Sequence, residues 1–262
     1  MMNDKQRFFN LALLLSLSAA TPAYAALEGK LNDTGIQSCG DGTGFVLDCP
    51  VTNYQGQDGD YGRDAKAKTG TLVKTGAGNA GFDFTKIAND GSTLPETAQL
   101  GAGPKDWACT QDNVTGLLWE VKTNDSGLRD KANSFSWYNP DKTRNGGDAG
   151  GQNKGTCTGG INCDTQGYTS AVNELKLCGK SDWRMPNITE LLGIKDYSRD
   201  APTIDTAYFP DTGPNDWHWS SVSYIGKRSE AWAASSYYGG SAHPPKIYGF
   251  SLFHVRLVSG GQ

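Results

Sequence analysis

The chain has 262 residues, a net charge of −4 and 20% charged residues. This length fits one elaborated domain, or a domain with an N-terminal extension. Its mildly acidic balance creates no general field that attracts nucleic acid or an anionic membrane, so neither is an expected partner.

Residues 1–25 have the three parts of a secretory signal peptide. Lys5 and Arg7 form a short basic start, an apolar run follows over 8–17, and Ala23 and Ala25 provide a small-residue cleavage site. The apolar run is too short to span a bilayer comfortably, which makes an uncleaved anchor the weaker alternative. We therefore expect a secreted, periplasmic or cell-surface bacterial protein, with no stable membrane insertion after cleavage.

All six cysteines follow this signal, and an even number in an exported chain indicates disulfide bonds. Six cysteines allow many pairings, and spacing alone does not choose among them. We favour two local clips, Cys39 with Cys49 and Cys157 with Cys163, which leaves Cys109 for Cys178. A zinc site is the weaker alternative, because no two cysteines have the spacing typical of zinc ligands.

Residues 26–103 form the predicted N-terminal extension, which is rich in Gly, Asp, Asn and Thr. Short strands are expected at 44–47, 70–73 and 81–84. Carboxylates interleaved with glycine could hold a calcium ion through Asp58, Asp60 and Asp64. A plain solvated turn is the favoured alternative, because no glutamate follows at the twelfth position. No other cofactor is indicated.

Residues 104–262 form the predicted main domain. A strand is expected at 117–121, a long polar insertion at 123–160, and an amphipathic helix at 168–177 that closes at Gly179. A second helix is predicted over 188–197, because Asn187 and Glu190 have the spacing of a capping box. Further strands are expected at 217–221, at 231–235 and, half buried, at 253–258.

Five motifs in a fixed order resemble the C-terminal domain family of the Legionella collagen-like adhesin. They are D-N-x-T-G-L-L-W-E at 112–120, D-W-R-M-P-x-x-x-E-L at 182–191, W-S-S at 219–221, Trp232, and V-R-L-V at 255–258. The resemblance implies an α+β fold similar to C-type lectins and formylglycine-generating enzymes, with short helices packed on a twisted, mostly antiparallel sheet and long loops. It also implies a bacterial surface or secreted protein. The name-giving adhesin binds sulfated glycosaminoglycans, and the acidic balance of this chain weakens the transfer of that property.

The large side chains of these motifs are predicted to be structural, because buried aromatic residues normally anchor a core. A buried guanidinium also needs carboxylate or carbonyl partners, which Asp182, Glu190 or Glu120 could supply. The predicted structural residues are Trp119, Trp183, Arg184, Trp219, Trp232 and Arg256. Aromatic residues in glycine- or serine-rich loops are instead candidates for a ligand-binding face. These candidates are Trp137, Tyr138, Trp217, Tyr237 and Tyr238.

The leading hypothesis is an exported, non-catalytic binding module. Loops 123–160 and 211–250 would contact a carbohydrate, such as a glycosaminoglycan-like polymer, or a surface protein. The alternative is a structural subunit of a bacterial surface assembly, for which a homo-oligomer is expected. An enzyme is the least favoured class, because no catalytic motif surrounds His218, His243 or His254.

Overall fold

The computed structural model describes residues 31–44, 46–248 and 253–261, so the predicted signal peptide lies outside the described residues. The fold is α+β, as predicted. The helices are α1 (Gly62–Lys68), α2 (Thr165–Leu175) and α3 (Ile188–Gly193), with 3-10 turns at Asp58–Asp60 and Leu177–Gly179. The strands are β1 (Ser38–Cys39), β2 (Leu47–Asp48), β3 (Phe84–Ala88), β4 (Trp107–Asp112), β5 (Leu118–Glu120), β6 (Trp217–Ser223), β7 (Ala231–Ser235), β8 (Ser241–Ala242), β9 (Phe253–His254) and β10 (Val258–Ser259).

Two four-stranded sheets form the body of the described chain. The first has the order β10–β5–β4–β3 and is antiparallel throughout. The second has the order β8–β7–β6–β9, in which β9 runs parallel to β6 and the other pairs are antiparallel. Strand β3 belongs to the predicted extension but pairs with β4 of the predicted main domain. The division at residue 103 stays a prediction.

The C-terminal segment joins the two sheets. Its β9 pairs with β6 in the second sheet, whereas β10 pairs with β5 in the first. Val255, Arg256 and Leu257 lie between these strands and are all buried. The single half-buried strand predicted over 253–258 is therefore wrong: the segment changes sheets, and its residues 254–258 are buried.

A buried aspartate organises the hairpin between β4 and β5. Asp112 accepts hydrogen bonds from the Val114 amide (3.0 Å) and the Thr115 hydroxyl (2.7 Å). Gly116 has φ +79°, a conformation that L side chains rarely adopt. The turn chemistry thus specifies which strands become neighbours.

The helix caps follow their sequence signals, although the helix ends differ. Asn187 Oδ1 accepts from the Glu190 amide and Glu190 Oε2 accepts from the Asn187 amide, both at 2.8 Å, which completes the predicted capping box. Helix α3 ends at Gly193, earlier than predicted, because the Asp196 amide bonds to the Thr203 carbonyl instead of continuing the helix. Helix α2 begins earlier than predicted, because Asp164 caps it by accepting from the Gly167 amide (2.8 Å).

Three disulfides cross-link the fold, and their pairings are the predicted ones: Cys39–Cys49, Cys109–Cys178 and Cys157–Cys163. The second bridge spans 69 residues and links β4 to the turn after α2. In the chain-entropy picture a loop of that length contributes about 4 kcal/mol of stability. No strand forms at 70–73, where the structure has irregular backbone.

Candidate functional site

A cleft of about 780 Å³ lies between loop 137–146, the first turns of α2, the segment leading into α3, and the end of β6. Most of its lining residues have polar side chains, and they come from parts of the chain far apart in sequence. The lining residues are Trp137, Tyr138, Asn139, Asp141, Thr143, Arg144, Gly146, Thr165, Gln166, Thr169, Trp183, Arg184, Met185, Asn187, Glu190, Ser221, Val222, Ser223 and Gly261. We call this surface the cleft.

An arginine–glutamate pair forms one wall of the cleft. Arg184 Nη2 lies 2.7 Å from Glu190 Oε1, and Nη1 lies 2.9 Å from Oε2, so the pair is bidentate. Arg184 Nη2 also donates to the Gly260 carbonyl (2.8 Å), and the Arg184 backbone bonds to Val258 in both directions. The side chain is therefore fixed by both the α3 cap and the C-terminal strand, while 23% of it remains exposed.

Two buried polar atoms of the cleft residues have no hydrogen-bond partner within the described chain. They are Arg184 Nε and Ser223 Oγ. Gly146 approaches Ser223 so closely that a Cβ at this glycine would lie 2.7 Å from Ser223 Cβ. A buried polar atom without a partner costs about 1–3 kcal/mol, which a suitable ligand group or water can offset.

The opposite wall is held by hydrogen bonds between loop 137–146 and α2. The Thr165 hydroxyl accepts from the Tyr138 amide (2.9 Å) and donates to the Tyr138 carbonyl (2.8 Å). Arg144 lies 3.8 Å from Asp141. Hydrogen bonds from the Thr143 hydroxyl and amide lower the pKa of Asp141.

A smaller pocket of about 260 Å³ adjoins the cleft and shares Asn187, Glu190 and Gly261 with it. Its lining residues include Asn32 and Trp119, whose Oδ1 and Nε1 atoms also lack partners in the described chain. Unpartnered polar atoms are thus concentrated around the Arg184–Glu190 pair.

A second group of charges, which we call the buried cluster, consists of Glu120, Lys122, Tyr168 and Arg256. Glu120 accepts hydrogen bonds from Lys122 Nζ (3.0 Å), from the Tyr168 hydroxyl and from the Leu257 amide (3.0 Å). Lys122 Nζ also donates to the Tyr168 oxygen (2.9 Å). Burial lowers the pKa of Lys122, and burial together with Glu120 raises the pKa of Tyr168 well above its ordinary value.

Arg256 completes the buried cluster and is only 1% exposed. It donates to the Glu120 carbonyl (3.0 Å) and to the Thr212 hydroxyl (2.8 Å). The sequence predicted a carboxylate or a carbonyl partner for this guanidinium, and the structure provides the Glu120 carbonyl.

Two histidines lie next to this cluster, with ring centroids 6.1 Å apart. His254 Nδ1 donates a hydrogen bond to the Asn133 carbonyl (2.9 Å), and its Nε2 lies 3.5 Å from Asp216. Burial, and then the charges of Arg256 and Lys195, lower the pKa of His218 well below its ordinary value. Neither histidine lines the cleft.

Four of the five loop aromatics reach the surface, in three separate places. Tyr138 lines the cleft and is half-buried. Trp217 lines a different, shallow hollow with His243, Pro244 and Phe253. Tyr237 and Tyr238 are exposed and contact each other edge to face.

Trp137 requires a correction, because it is 1% exposed and does not present a ring on a loop surface. Its Nε1 donates to the Ser220 carbonyl (2.8 Å), and Lys246 Nζ lies 4.2 Å from its ring centroid. Among the motif residues, Trp119, Trp183 and Trp219 are buried and Trp232 is half-buried.

The three aspartates suggested for calcium are occupied by hydrogen bonds of the fold. Asp64 is buried and accepts from the Gly35 amide (2.8 Å) and the Gly81 amide (2.6 Å). Asp60 accepts from the Gly56 amide (2.8 Å), and Asp58 accepts from the Thr34 hydroxyl. Within the described residues these three carboxylates are not grouped at ligand distance from one another, and calcium binding stays a prediction.

Most polar residues of the cleft, including Asn139, Gln166, Thr169 and Ser223, carry no recognisable motif. Three separate segments contribute them, and only the tertiary fold brings the segments together. One signal was accessible in the sequence: Arg184 and Glu190 both belong to the motif at 182–191.

Comparison with known families gives one finding. The family model of the Lcl C-terminal domain matches residues 108–259, more than half of the chain. No curated protein and no solved structure matches the chain. The family and the three disulfides are compatible with an extracytoplasmic protein. Within the described residues, no helix has the length and apolar character needed to cross a membrane.

Proposed function

Because the chain belongs to the Lcl C-terminal domain family, we propose that it is an exported, non-catalytic binding module of the adhesin type. In this proposal a C-type-lectin-like scaffold presents its loops to a carbohydrate or a protein at the bacterial cell surface. Disulfide stapling supports an extracytoplasmic location, since such bonds persist in oxidising compartments.

The observation that carries the proposal is the cleft with its unpartnered polar atoms. Loop 137–146 closes one side of it and Arg184 with Glu190 forms another, so hydrogen-bonding groups converge on one concave surface. A ligand with several polar groups could satisfy Arg184 Nε and Ser223 Oγ, which have no partners among the described residues.

A glycan and matrix-protein array with the mature chain, residues 26–262, tests the proposal. We expect selective binding that Tyr138→Ala weakens, because Tyr138 lines the cleft. The matched control is Tyr238→Ala, which removes a tyrosine that is 77% exposed and outside the cleft lining. Absence of binding to every glycan, matrix protein and bacterial surface polymer would contradict the proposal.

The same array run with and without a calcium chelator tests the remaining metal hypothesis. Because Asp60 and Asp64 already accept backbone hydrogen bonds, we expect the chelator to leave binding unchanged. Loss of binding on chelation would instead place a calcium ion in the binding mechanism.

Sizing of the mature chain distinguishes the binding module from a subunit of a surface assembly. A monomer over the whole accessible concentration range favours the module, and a stable homo-oligomer favours the subunit. The sizing uses the intact mature chain, because deletion of residues 26–100 would remove β3 from the first sheet.

A further inference from the structure

All four charged side chains of the cleft are engaged in opposite-charge pairs. Arg184 is paired with Glu190 at 2.7 Å, and Arg144 is paired with Asp141 at 3.8 Å. The charges of the lining cancel, and each cation has its own carboxylate within the described chain.

This arrangement is poorly suited to an anionic polymer. Such ligands bind through cations that are free to neutralise them, with release of counterions and a strong salt dependence. A sulfate or carboxylate brought to Arg184 would also approach Glu190, and the repulsion between like charges would offset the attraction. The net charge of −4 for the whole chain adds no attraction.

The other polar groups of the lining are uncharged amides and hydroxyls. These side chains provide hydrogen-bond donors and acceptors in similar numbers: they are Asn139, Gln166, Thr169 and Ser221. Such a surface suits ligand groups that both donate and accept hydrogen bonds. A hydroxyl has that property, and it could accept from Arg184 Nε. The half-buried ring of Tyr138 offers an apolar face beside them.

From the paired charges and the hydroxyl-matching lining, we propose that the cleft binds an uncharged, polyhydroxylated ligand, namely a segment of neutral saccharide. This inference rests on the proposed binding function and specifies its ligand class. Ligand hydroxyls accept from Arg184 Nε and exchange a hydrogen bond with Ser223 Oγ, while the apolar face of one sugar ring lies on Tyr138. Both unpartnered atoms are covered from solvent, and Gly146 packs against Ser223, so contact of a ligand with Ser223 Oγ requires a shift of the turn at Gly146.

Calorimetric titration of the mature chain tests this inference with two kinds of probe. The neutral probes are hexose and N-acetylhexosamine oligosaccharides, and the anionic probe is a heparin oligosaccharide of similar length. We expect binding of a neutral probe whose affinity changes less than about twofold between low and moderate salt. A ligand held by several free cations would lose affinity by orders of magnitude.

Two variants locate the binding and report its charge dependence. Ser223→Ala should weaken the neutral probe by roughly two- to tenfold, the usual effect of one hydrogen bond. Ser241→Ala is the matched control, since it removes an exposed serine outside the cleft lining. Arg144→Glu is a test of the anionic probe alone, since any heparin held in the cleft would lose affinity strongly when this cation is reversed.

The possible results distinguish a wrong ligand class from a wrong binding function. Salt-sensitive heparin binding that Arg144→Glu abolishes would overturn the inference and leave the binding function intact. Neutral-saccharide binding that neither Ser223→Ala nor Tyr138→Ala weakens would also overturn it, because the ligand would then lie outside the cleft. Failure to bind any glycan, matrix protein or surface polymer would remove the proposed function together with the inference.

Discussion

The buried cluster and the cleft each place an arginine beside a glutamate, but they differ in how completely their polar atoms are paired. In the buried cluster, Glu120, Lys122, Tyr168 and Arg256 bond to one another or to nearby backbone, and none of their buried atoms is unpartnered. In the cleft, Arg184 Nε finds no partner in the part of the chain that the structure describes. Complete pairing indicates a role in holding the fold, and incomplete pairing on a concave surface indicates a place for a ligand.

The largest effect is expected from Glu120→Gln. This substitution keeps the side-chain shape but removes the negative charge beside Lys122, which is 2% exposed. Breaking a buried pair leaves an uncompensated charge, so unfolding in denaturant should show a loss of about 3–5 kcal/mol. The double variant Glu120→Gln, Lys122→Met should recover part of the loss. A single-variant loss below about 1 kcal/mol would show that the cluster contributes little.

The histidines beside the buried cluster make the stability dependent on pH. An unfolded histidine ionises near pH 6.5, whereas the pKa of His218 in the fold is well below this value. Below pH 6.5 the unfolded chain binds a proton that the folded chain does not, so stability falls as the pH falls. The slope should be about 1.4 kcal/mol per pH unit for His218 until its folded pKa is reached.

Denaturant titrations over this acidic range measure the slope. His218→Asn should reduce it without abolishing it, because burial also lowers the pKa of His254. An unchanged slope in His218→Asn would assign the acid sensitivity to other groups.

A smaller effect is expected from the two arginines when each is changed to lysine. Arg256→Lys should cost more, because a buried guanidinium loses its bonds to the Glu120 carbonyl and Thr212. Arg184→Lys loses a bidentate pair that is 23% exposed and should cost about 1 kcal/mol. Thermal and denaturant unfolding measure the loss of stability in each of the two variants. Equal losses would remove the distinction between the two regions.

The smallest effect is expected from Ser223→Ala, which should leave stability unchanged or raise it by up to about 1 kcal/mol. The variant removes a hydroxyl that has no partner in the described chain. Ser136→Ala is the matched comparison, since Ser136 Oγ donates to the Gly151 carbonyl and accepts from the Lys154 amide (3.1 Å). That variant should lose about 1–2 kcal/mol. Destabilisation by Ser223→Ala would show that its hydroxyl is structural.

Local chemistry made several features predictable from the sequence. The spacing of Asn187 and Glu190 predicted the start of α3, because a capping box needs only four consecutive residues. The motif order predicted the family and the α+β class. Even the disulfide pairing could be favoured, since two short clips leave one remaining pair.

Features that depend on distant segments could not be predicted in the same way. Trp137 lies in a polar, glycine-rich stretch that suggested exposure, yet Ser220 and Lys246 cover it from 83 and 109 residues away in the chain. The cleft is assembled from four segments, at 137–146, 165–169, 183–190 and 221–223, and Ser223 has no local signal at all. Periodicity also failed for residues 253–258, because alternation along one strand does not reveal a change of sheet.

Because of that change of sheet, residues 253–259 complete both sheets of the described chain. Residues 253–259 supply an edge strand to both layers, so neither sheet has its full set of hydrogen bonds until this final stretch has docked. Assembly from the N-terminus onward therefore stays incomplete until synthesis reaches Ser259. A chain that ends before Phe253 would therefore lack an edge strand in both sheets.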